Sequence, residues 1–445
     1  MRSPALLTDQ YELTMLQSAL QSGTAHRRCV FELFARSLPP GRRYGVVAGT
    51  GRFLDALEQL HFTDEQVSWL RSNDIVDEAT GQWLSTYRFG GQVHGYPEGE
   101  SYFAGSPVLI VEAPFAEAVL LETLALSIFN HDGAVASAAS RMTCAAGGRP
   151  CIEMGSRRTH EQAGVASARA AYLAGFASTS NLQAGETYGV PTAGTSAHAF
   201  TLLHDSEREA FDAQVASFGK HTTLLVDTYD VEGAVRTAVE VAGAGLGAVR
   251  IDSGDLLHLA RKVRAQLDVL GAHHTRIVVT GDLDERAIAA LAAAPVDGYG
   301  VGTSLVTGSG HPTCGFVYKM VARAASDDPD APLVGVAKNS PDKSTVAGRK
   351  WARRRLDSSG RADAEVIGVC EPPVASSGQG QGAGTDRRLL VHLVRAGERL
   401  WRESLSDSRE RHLRSRDELP LAAHQLLAGD PVLPTIYETG GSPAR

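Results

Sequence analysis

Apolar and polar positions alternate in blocks along the middle of the chain. Short apolar runs end in Asp, Gly, Ser or Thr: CIEMG (151–155), FASTS (176–180), PTAGTSA (191–197), TLLVD (223–227), AVRID (248–252), RIVVTGD (276–282) and GYGVG (298–302). Most are followed by a stretch of helical period. Thr159 and Gln162 have the spacing of a capping box, and Ser206 and Glu209 repeat it. Phe211, Val215 and Phe218 fall on one helical face, as do Leu256, Leu259, Val263, Leu267 and Leu270. Such stripes predict core-facing helices. Repeated strand–helix units predict parallel strands with right-handed crossovers. Their number predicts a closed or nearly closed α/β, TIM-like barrel, with an open doubly wound sheet as the alternative. In a barrel, polar residues at strand C-termini line one mouth. That mouth would gather Arg157, His198, Asp227, Asp252, Asp282 and Gly302.

The flanks read differently. Residues 1–140 hold an early helix (TDQYELTMLQSAL), mixed strands such as CVFELFARSLP and VHGYPEG, and a later helix around AEAVLLETLALSIFN. This predicts an N-terminal α+β domain. The barrel is expected over 141–330, and a strand-rich C-terminal segment over 331–445. Within that segment PPVASSGQGQGAGTD (372–386) reads as a long loop between the strands AEVIGVC and RLLVHLV.

Composition narrows the field. Hydrophobic residues make up 43% and charged residues 21% of 445 residues, as in soluble globular proteins. No apolar run approaches the roughly 20 residues that span a bilayer. The start, MRSPALLTDQYELTM, lacks the basic-then-apolar layout of a signal peptide, so a cytoplasmic protein with no membrane partner is expected. The net charge of -8 argues against a general nucleic-acid binder, which needs a basic face. Cys29, Cys144, Cys151, Cys314 and Cys370 show no C-x-x-C spacing and read as reduced thiols.

Candidate chemistry sits at the strand ends. In GSRRTH (155–160), Arg157 follows a strand end and precedes a helix, and arginine forks match carboxylates and phosphates. In VRIDSGDL (249–256), Arg250 accompanies Asp252 and Asp255, which can hold magnesium or sugar hydroxyls, while Asp255 can also cap the next helix. The glycines of VVTGDLD (Gly281, beside Asp282) and GYGVGTSL (Gly300 and Gly302, before Thr303) allow backbone N–H groups to approach a phosphate. In GTSAHAF, His198 stands beside Thr195 and Ser196, where it can transfer a proton or attack a phosphoryl group. Lys319, in the apolar run VYKMV, can reach a phosphate.

Together LLTDQYELTM, GSRRTH, GTSAHAF, LLVDTYD, RIDSGDL, VTGDLDE, GYGVGTSL, VYKMVA and VAGRKWARR, in this order, resemble the nicotinate phosphoribosyltransferase family. The resemblance implies a type II phosphoribosyltransferase: an irregular α/β barrel with an N-terminal domain completed by C-terminal strands. It implies a reaction of nicotinate with phosphoribosyl pyrophosphate, driven by ATP through a phosphohistidine at His198, with Mg2+ as cofactor. It further implies a homodimer with shared active sites, Tyr11 reaching into the neighbour's. By the same resemblance Gly155, Ser156, Arg157, Thr195 and Ser196 contact substrate, and Arg250 joins His198 and Asp252 in catalysis. Asp255, Asp282, Lys319 and the Gly300–Thr303 loop would hold ribose and phosphate. Met154 stands where many members place a phenylalanine that stacks on the pyridine, and a thioether loses that stacking. Ser180 and Asn181 occupy the region where nicotinamide enzymes carry an aspartate, which favours the acid over the amide. The competing expectations are a nicotinamide or quinolinate phosphoribosyltransferase, or a phosphate-binding barrel without transferase activity.

Overall fold

The computed structural model describes residues 3–328, 330–338, 345–369 and 386–438. Loop 372–386, except for its last residue, and Cys370 lie outside the described residues. The chain divides into two units: Val135–Pro312, and Met1–Ala134 together with Thr313–Arg445.

Six strands build the core of the first unit: Cys151–Glu153, Ser178–Thr179, Thr223–Leu225, Ala248–Ile251, Arg276–Val279 and Gly298–Val301. All neighbouring pairs are parallel. The earliest strand pairs with the last, Tyr299 opposite Cys151, so the sheet curls back on itself as an α/β barrel requires. The strand expected at 191–197 shrinks to a single parallel bridge, Thr192 to Thr179. Pro191 has no N–H to extend the ladder, and the chain soon turns into the helix His198–Leu203. Hydrogen bonding is therefore open between this bridge and Thr223–Leu225.

The intervening helices differ from expectation in detail. Helix Glu161–Leu173 is capped by His160, whose ring accepts from the Gln162 N–H, because Thr159 is fully extended. Ser206 caps Glu207–Phe218 through the Glu209 N–H, which is the serine half of the expected capping box. That helix buries Ala210, Phe211 and Gln214 and leaves Phe218 76% exposed. Gln214 takes the buried place because its amide donates to the Thr223 carbonyl and the Thr222 hydroxyl. In helix Leu256–Val269, Val263 and Leu267 are buried.

The second unit is built on a seven-stranded sheet. Its order is Leu333–Gly335, Phe316–Ala324, Arg28–Ala35, Leu109–Pro114, Gln92–Gly95, Val391–Arg395 and Glu398–Arg399. C-terminal strands thus complete an N-terminal sheet. The boundary expected near 330 falls at 312, because Phe316–Ala324 runs antiparallel to Arg28–Ala35. After Arg28, strand Arg28–Ala35 is buried throughout and reads as an apolar run broken by Glu32, whose buried carboxylate pairs with Lys350. The LLTDQYELTM motif has a structural reason here. Glu12 is buried and accepts from the backbone N–H of Thr123, which anchors helix Gln10–Gln21 to the start of helix Glu122–Ala146. Among the described residues no helix is long and apolar enough to cross a membrane.

Candidate active site

Arg250 organises the barrel mouth. It leaves strand Ala248–Ile251 with only 8% of its surface exposed. Nε donates to Thr280 Oγ1 at 3.0 Å, Nη1 to Thr195 Oγ1 at 2.8 Å, and Nη2 to Asp252 Oδ1 at 2.8 Å. Nη1 also reaches the Ser196 carbonyl. Every guanidinium nitrogen is engaged, so Arg250 ties the segment before His198 to two strand ends. Burial pushes the Asp252 carboxyl up, but hydrogen bonds from Arg250 and Thr280 and the charges of Arg250 and His198 outweigh it, and the net direction is down. Asp252 is therefore ionised at neutral pH.

His198 opens the short helix His198–Leu203 and is partly exposed. Its Nδ1 lies 3.1 Å from Thr228 Oγ1, and its Nε2 lies 3.9 Å from Asp227 Oδ1. Asp227 is 3% exposed in its side chain. Its Oδ2 accepts from the Asp252 N–H and the Ser253 hydroxyl, whereas its buried Oδ1 has no hydrogen-bond partner. A fixed carboxylate oxygen facing one ring nitrogen, and a hydroxyl on the other, set the orientation of the imidazole.

The GSRR turn is a 3-10 segment, Ser156–Arg158, that follows strand Cys151–Glu153. Arg157 is exposed and makes no ion pair among the described residues. Ser156 Oγ accepts from Asn181 Nδ2 at 2.8 Å, and Asn181 Oδ1 accepts from the Ala184 N–H. Both ends of the Asn181 amide are thus used within the protein. Met154 lies over Gly300: a Cβ there would come 2.8 Å from Met154 Sδ and 2.4 Å from Thr280 Cγ2. Gly300, buried in strand Gly298–Val301, makes room for these side chains.

At Gly281 the backbone needs glycine twice over. Its φ is +104°, and a Cβ would meet the Asp252 carbonyl oxygen at 2.4 Å. Asp282 follows with φ 34°, a left-handed conformation that a side chain adopts at a cost and that clusters at functional sites. Gly302 precedes the short helix Thr303–Val306, and Thr303 is exposed. Asp255 caps helix Leu256–Val269 by accepting from the His258 N–H at 3.0 Å.

Tyr11 and Lys319 lie in the other unit, where both approach Glu122. Lys319 Nζ is 3.4 Å from Glu122 Oε1. Burial, the charges of Glu122, Glu12 and Asp9, and a hydrogen bond with Glu122 push the Tyr11 phenol up to about 12.

Among the described residues no group of three or more His, Cys, Asp or Glu is placed to hold a metal. Magnesium does not need one: it keeps several waters and binds through one or two carboxylates plus substrate phosphates. The carboxylates of Asp252 and Asp255 and the orphaned Asp227 Oδ1 are hard oxygens of the kind it takes.

Residue type and spacing do not mark Thr228, Thr280 or Glu153 as site residues, and mark Asp227 only as one polar end of the mouth. Asp227 and Thr280 could have been found by their place at the ends of apolar runs. Thr228 and Glu153 gain importance only from their contacts.

A model of the nicotinate phosphoribosyltransferase (NAPRTase) N-terminal domain matches residues 6–130, and a model of the nicotinate phosphoribosyltransferase (NAPRTase) family matches residues 150–326. The chain is 54% identical over 439 residues to nicotinate phosphoribosyltransferase pncB1 of Mycobacterium tuberculosis (strain CDC 1551 / Oshkosh), across 97% of this chain and 94% of that protein. It is 36% identical over 368 residues to nicotinate phosphoribosyltransferase of Bacillus subtilis (strain 168), across 80% and 74% of the two chains. It superposes on the crystal structure of human nicotinic acid phosphoribosyltransferase with a TM-score of 0.80 and 27% identity, covering 97% of each chain. On these matches, and with the curled parallel sheet, the chain belongs to the nicotinate phosphoribosyltransferase family, enzymes of NAD biosynthesis.

Proposed function

We propose that this enzyme joins nicotinate to phosphoribosyl pyrophosphate, gives nicotinate mononucleotide and pyrophosphate, and couples the step to ATP through phosphorylation of His198. The pyridine nitrogen forms a bond to ribose C1 as the C1–oxygen bond to pyrophosphate breaks, and no proton is exchanged. The transition state resembles an oxocarbenium ion. Catalysis then rests on positioning and on charge stabilisation. Arg157, exposed and unpaired among the described residues, recognises the nicotinate carboxylate. The Asn181 amide is oriented by Ser156 and the Ala184 N–H and carries no charge to pair with a nicotinamide amide. Asp252 and Asp227 would hold magnesium, which neutralises pyrophosphate charge when bound. Gly281, Asp282, Gly302 and Thr303 would receive ribose and phosphate, and Asp255, which caps the helix after the Asp252 strand, would face the ribose.

The observation that carries the phosphohistidine reading is the setting of His198, with one ring nitrogen on Thr228 and the other facing the buried, orphaned oxygen of Asp227. A phosphoryl group taken by either nitrogen leaves the other with a polar partner. A homodimer is supported by large apolar side chains beside this histidine: Leu202, Leu203 and Tyr229 are 61%, 77% and 63% exposed. A second copy would cover them and bring its Tyr11 to the site.

The test is a product assay with phosphoribosyl pyrophosphate and magnesium, nicotinate or nicotinamide, with and without ATP, alongside His198→Ala. Nicotinate mononucleotide formed faster with ATP, and loss of that stimulation in the variant, is the expected outcome. Product from nicotinamide alone overturns the substrate; stimulation that survives in the variant overturns the phosphohistidine.

A further inference from the structure

Glu153 ends strand Cys151–Glu153 with none of its surface exposed. Burial pushes its carboxyl above the ordinary range, against hydrogen bonds from Thr179 and Gly155. It makes no ion pair among the described residues, and burying a carboxylate without a cation is costly. Its two oxygens serve different partners. Oε1 accepts from the Gly155 N–H, and Oε2 accepts from the Thr179 hydroxyl. Thr179 Oγ1 in turn accepts from the Asn181 N–H at 2.9 Å, and Asn181 Nδ2 donates to Ser156 Oγ at 2.8 Å. The Glu153 carbonyl accepts from the Ser180 N–H at 2.8 Å. One carboxylate thus sends two hydrogen-bonded lines to adjacent residues, one directly to Gly155 and one through Thr179 and Asn181 to Ser156. The next residue is Arg157.

We infer that Glu153 is the positioning residue for the Gly155–Arg157 turn, and so sets where Arg157 meets the substrate carboxylate. The inference rests on the nicotinate reading above. It predicts that the Glu153–Thr179 pair controls nicotinate binding and leaves phosphoribosyl pyrophosphate binding alone, because Arg250 and Asp252 are held by separate hydrogen bonds to each other and to Thr280 and Thr195.

The test measures KM for each substrate, kcat and Tm in the full chain carrying Glu153→Gln, Thr179→Val, both, or Thr179→Ser. The glutamine fills the same space and keeps an acceptor for Gly155, but its amide forces the Thr179 hydroxyl to accept only. The valine cuts the line to Asn181 and keeps the other. Each should raise the nicotinate KM roughly tenfold, as a small misplacement of a binding group does. The KM for phosphoribosyl pyrophosphate and kcat should hold in both; Tm should hold in Glu153→Gln and fall in Thr179→Val, which leaves the buried Glu153 Oε2 without its donor, and Thr179→Ser should restore both Tm and the nicotinate KM. The double variant should cost less than the product of the two singles, because both act through one path. A parallel rise of both KM values with a lower Tm, or an unchanged nicotinate KM in both singles, overturns the inference. Arg157→Ala separates the two levels. If it raises the nicotinate KM while Glu153→Gln and Thr179→Val do not, only the positioning role falls. If it leaves the nicotinate KM unchanged, the assignment of Arg157 falls first and the inference with it.

Discussion

Arg354 with Glu365 and Arg250 with Asp252 are the same chemical pair at the same separation, 2.8 Å, in different units of the chain. Their surroundings differ. Arg354 and Glu365 are 0% exposed, with Tyr96 donating to the same carboxylate and Glu100 nearby. Arg250 and Asp252 are 9% and 32% exposed in their side chains, at a barrel mouth. The sealed pair belongs to a network in which Glu100 also meets Arg387 and Ser415, and Arg387 meets Glu418. These groups draw together segments some three hundred residues apart. In the barrel unit, carboxylates are left short of partners: Asp227 Oδ1 is orphaned, and Glu153 and Glu207 are pushed up by burial. An ion pair sealed on all sides does structural work, because both charges need each other to remain buried. A pair open on one side holds its geometry and still presents charge to a ligand.

The largest effect should come from removing one side of the sealed pair. Arg354→Leu leaves Glu365 buried and uncompensated, and should destabilise by about 3–5 kcal/mol in urea or thermal unfolding. Arg250→Leu should cost clearly less stability and abolish product formation, since Asp252 retains solvent and Thr280. Equal destabilisation by the two substitutions would break the distinction.

A smaller effect lies in acid. Burial raises the Glu100 carboxyl, but Arg387, Arg354 and Ser415 more than reverse this and hold it at about 2. A depressed carboxylate contributes stability above its unfolded value, and that stability is lost as pH falls through the ordinary glutamate range toward the folded value. Unfolding followed at falling pH should show this loss, and Arg387→Gln should flatten the slope. A slope that Arg387→Gln leaves unchanged would detach Glu100 from the network.

The smallest effect has the opposite sign. Burial, helped by the charge of Asp230, raises the Glu207 carboxyl to about 7. The folded state then holds a proton that the unfolded chain releases, so stability declines as pH rises from the ordinary glutamate range to about 7. Glu207→Gln should raise Tm at about pH 8 and leave it unchanged at about pH 4, where the group is protonated in both states. A gain at both pH values would mean that packing, not charge, is the cause.

Much of the barrel was legible because its signals are local. The polar ends at Asp227, Asp252 and Asp282 follow apolar runs, and Ser206 caps its helix from three residues away. The third run, 191–197, misled because an apolar stretch does not reveal whether a ladder partner exists; Pro191 and the early turn into His198–Leu203 leave one bridge. Phe218 misled because a helical stripe does not say which residue a neighbour will bury, and Gln214 won that place by bonding Thr222 and Thr223. At the site, Arg157, His198 and Asp252 stood out by residue type and position. Thr228 and Glu153 did not, since a threonine and a glutamate carry no signal until their partners are known.

The sequence by itself determined the repeated strand–helix units, the order of the polar strand ends and the family to which they belong. Each of these is carried by residue types at short spacing along the chain. The tertiary structure alone decided that Cys151–Glu153 closes onto Gly298–Val301, that Phe316–Ala324 leaves the barrel for the other sheet, and that Asn181 is spent on Ser156 and Ala184. It also decided which arginine–carboxylate pair is sealed and which is open. Burial and hydrogen-bond partnership depend on groups far apart in the chain, so they come into being only when the fold brings those groups together.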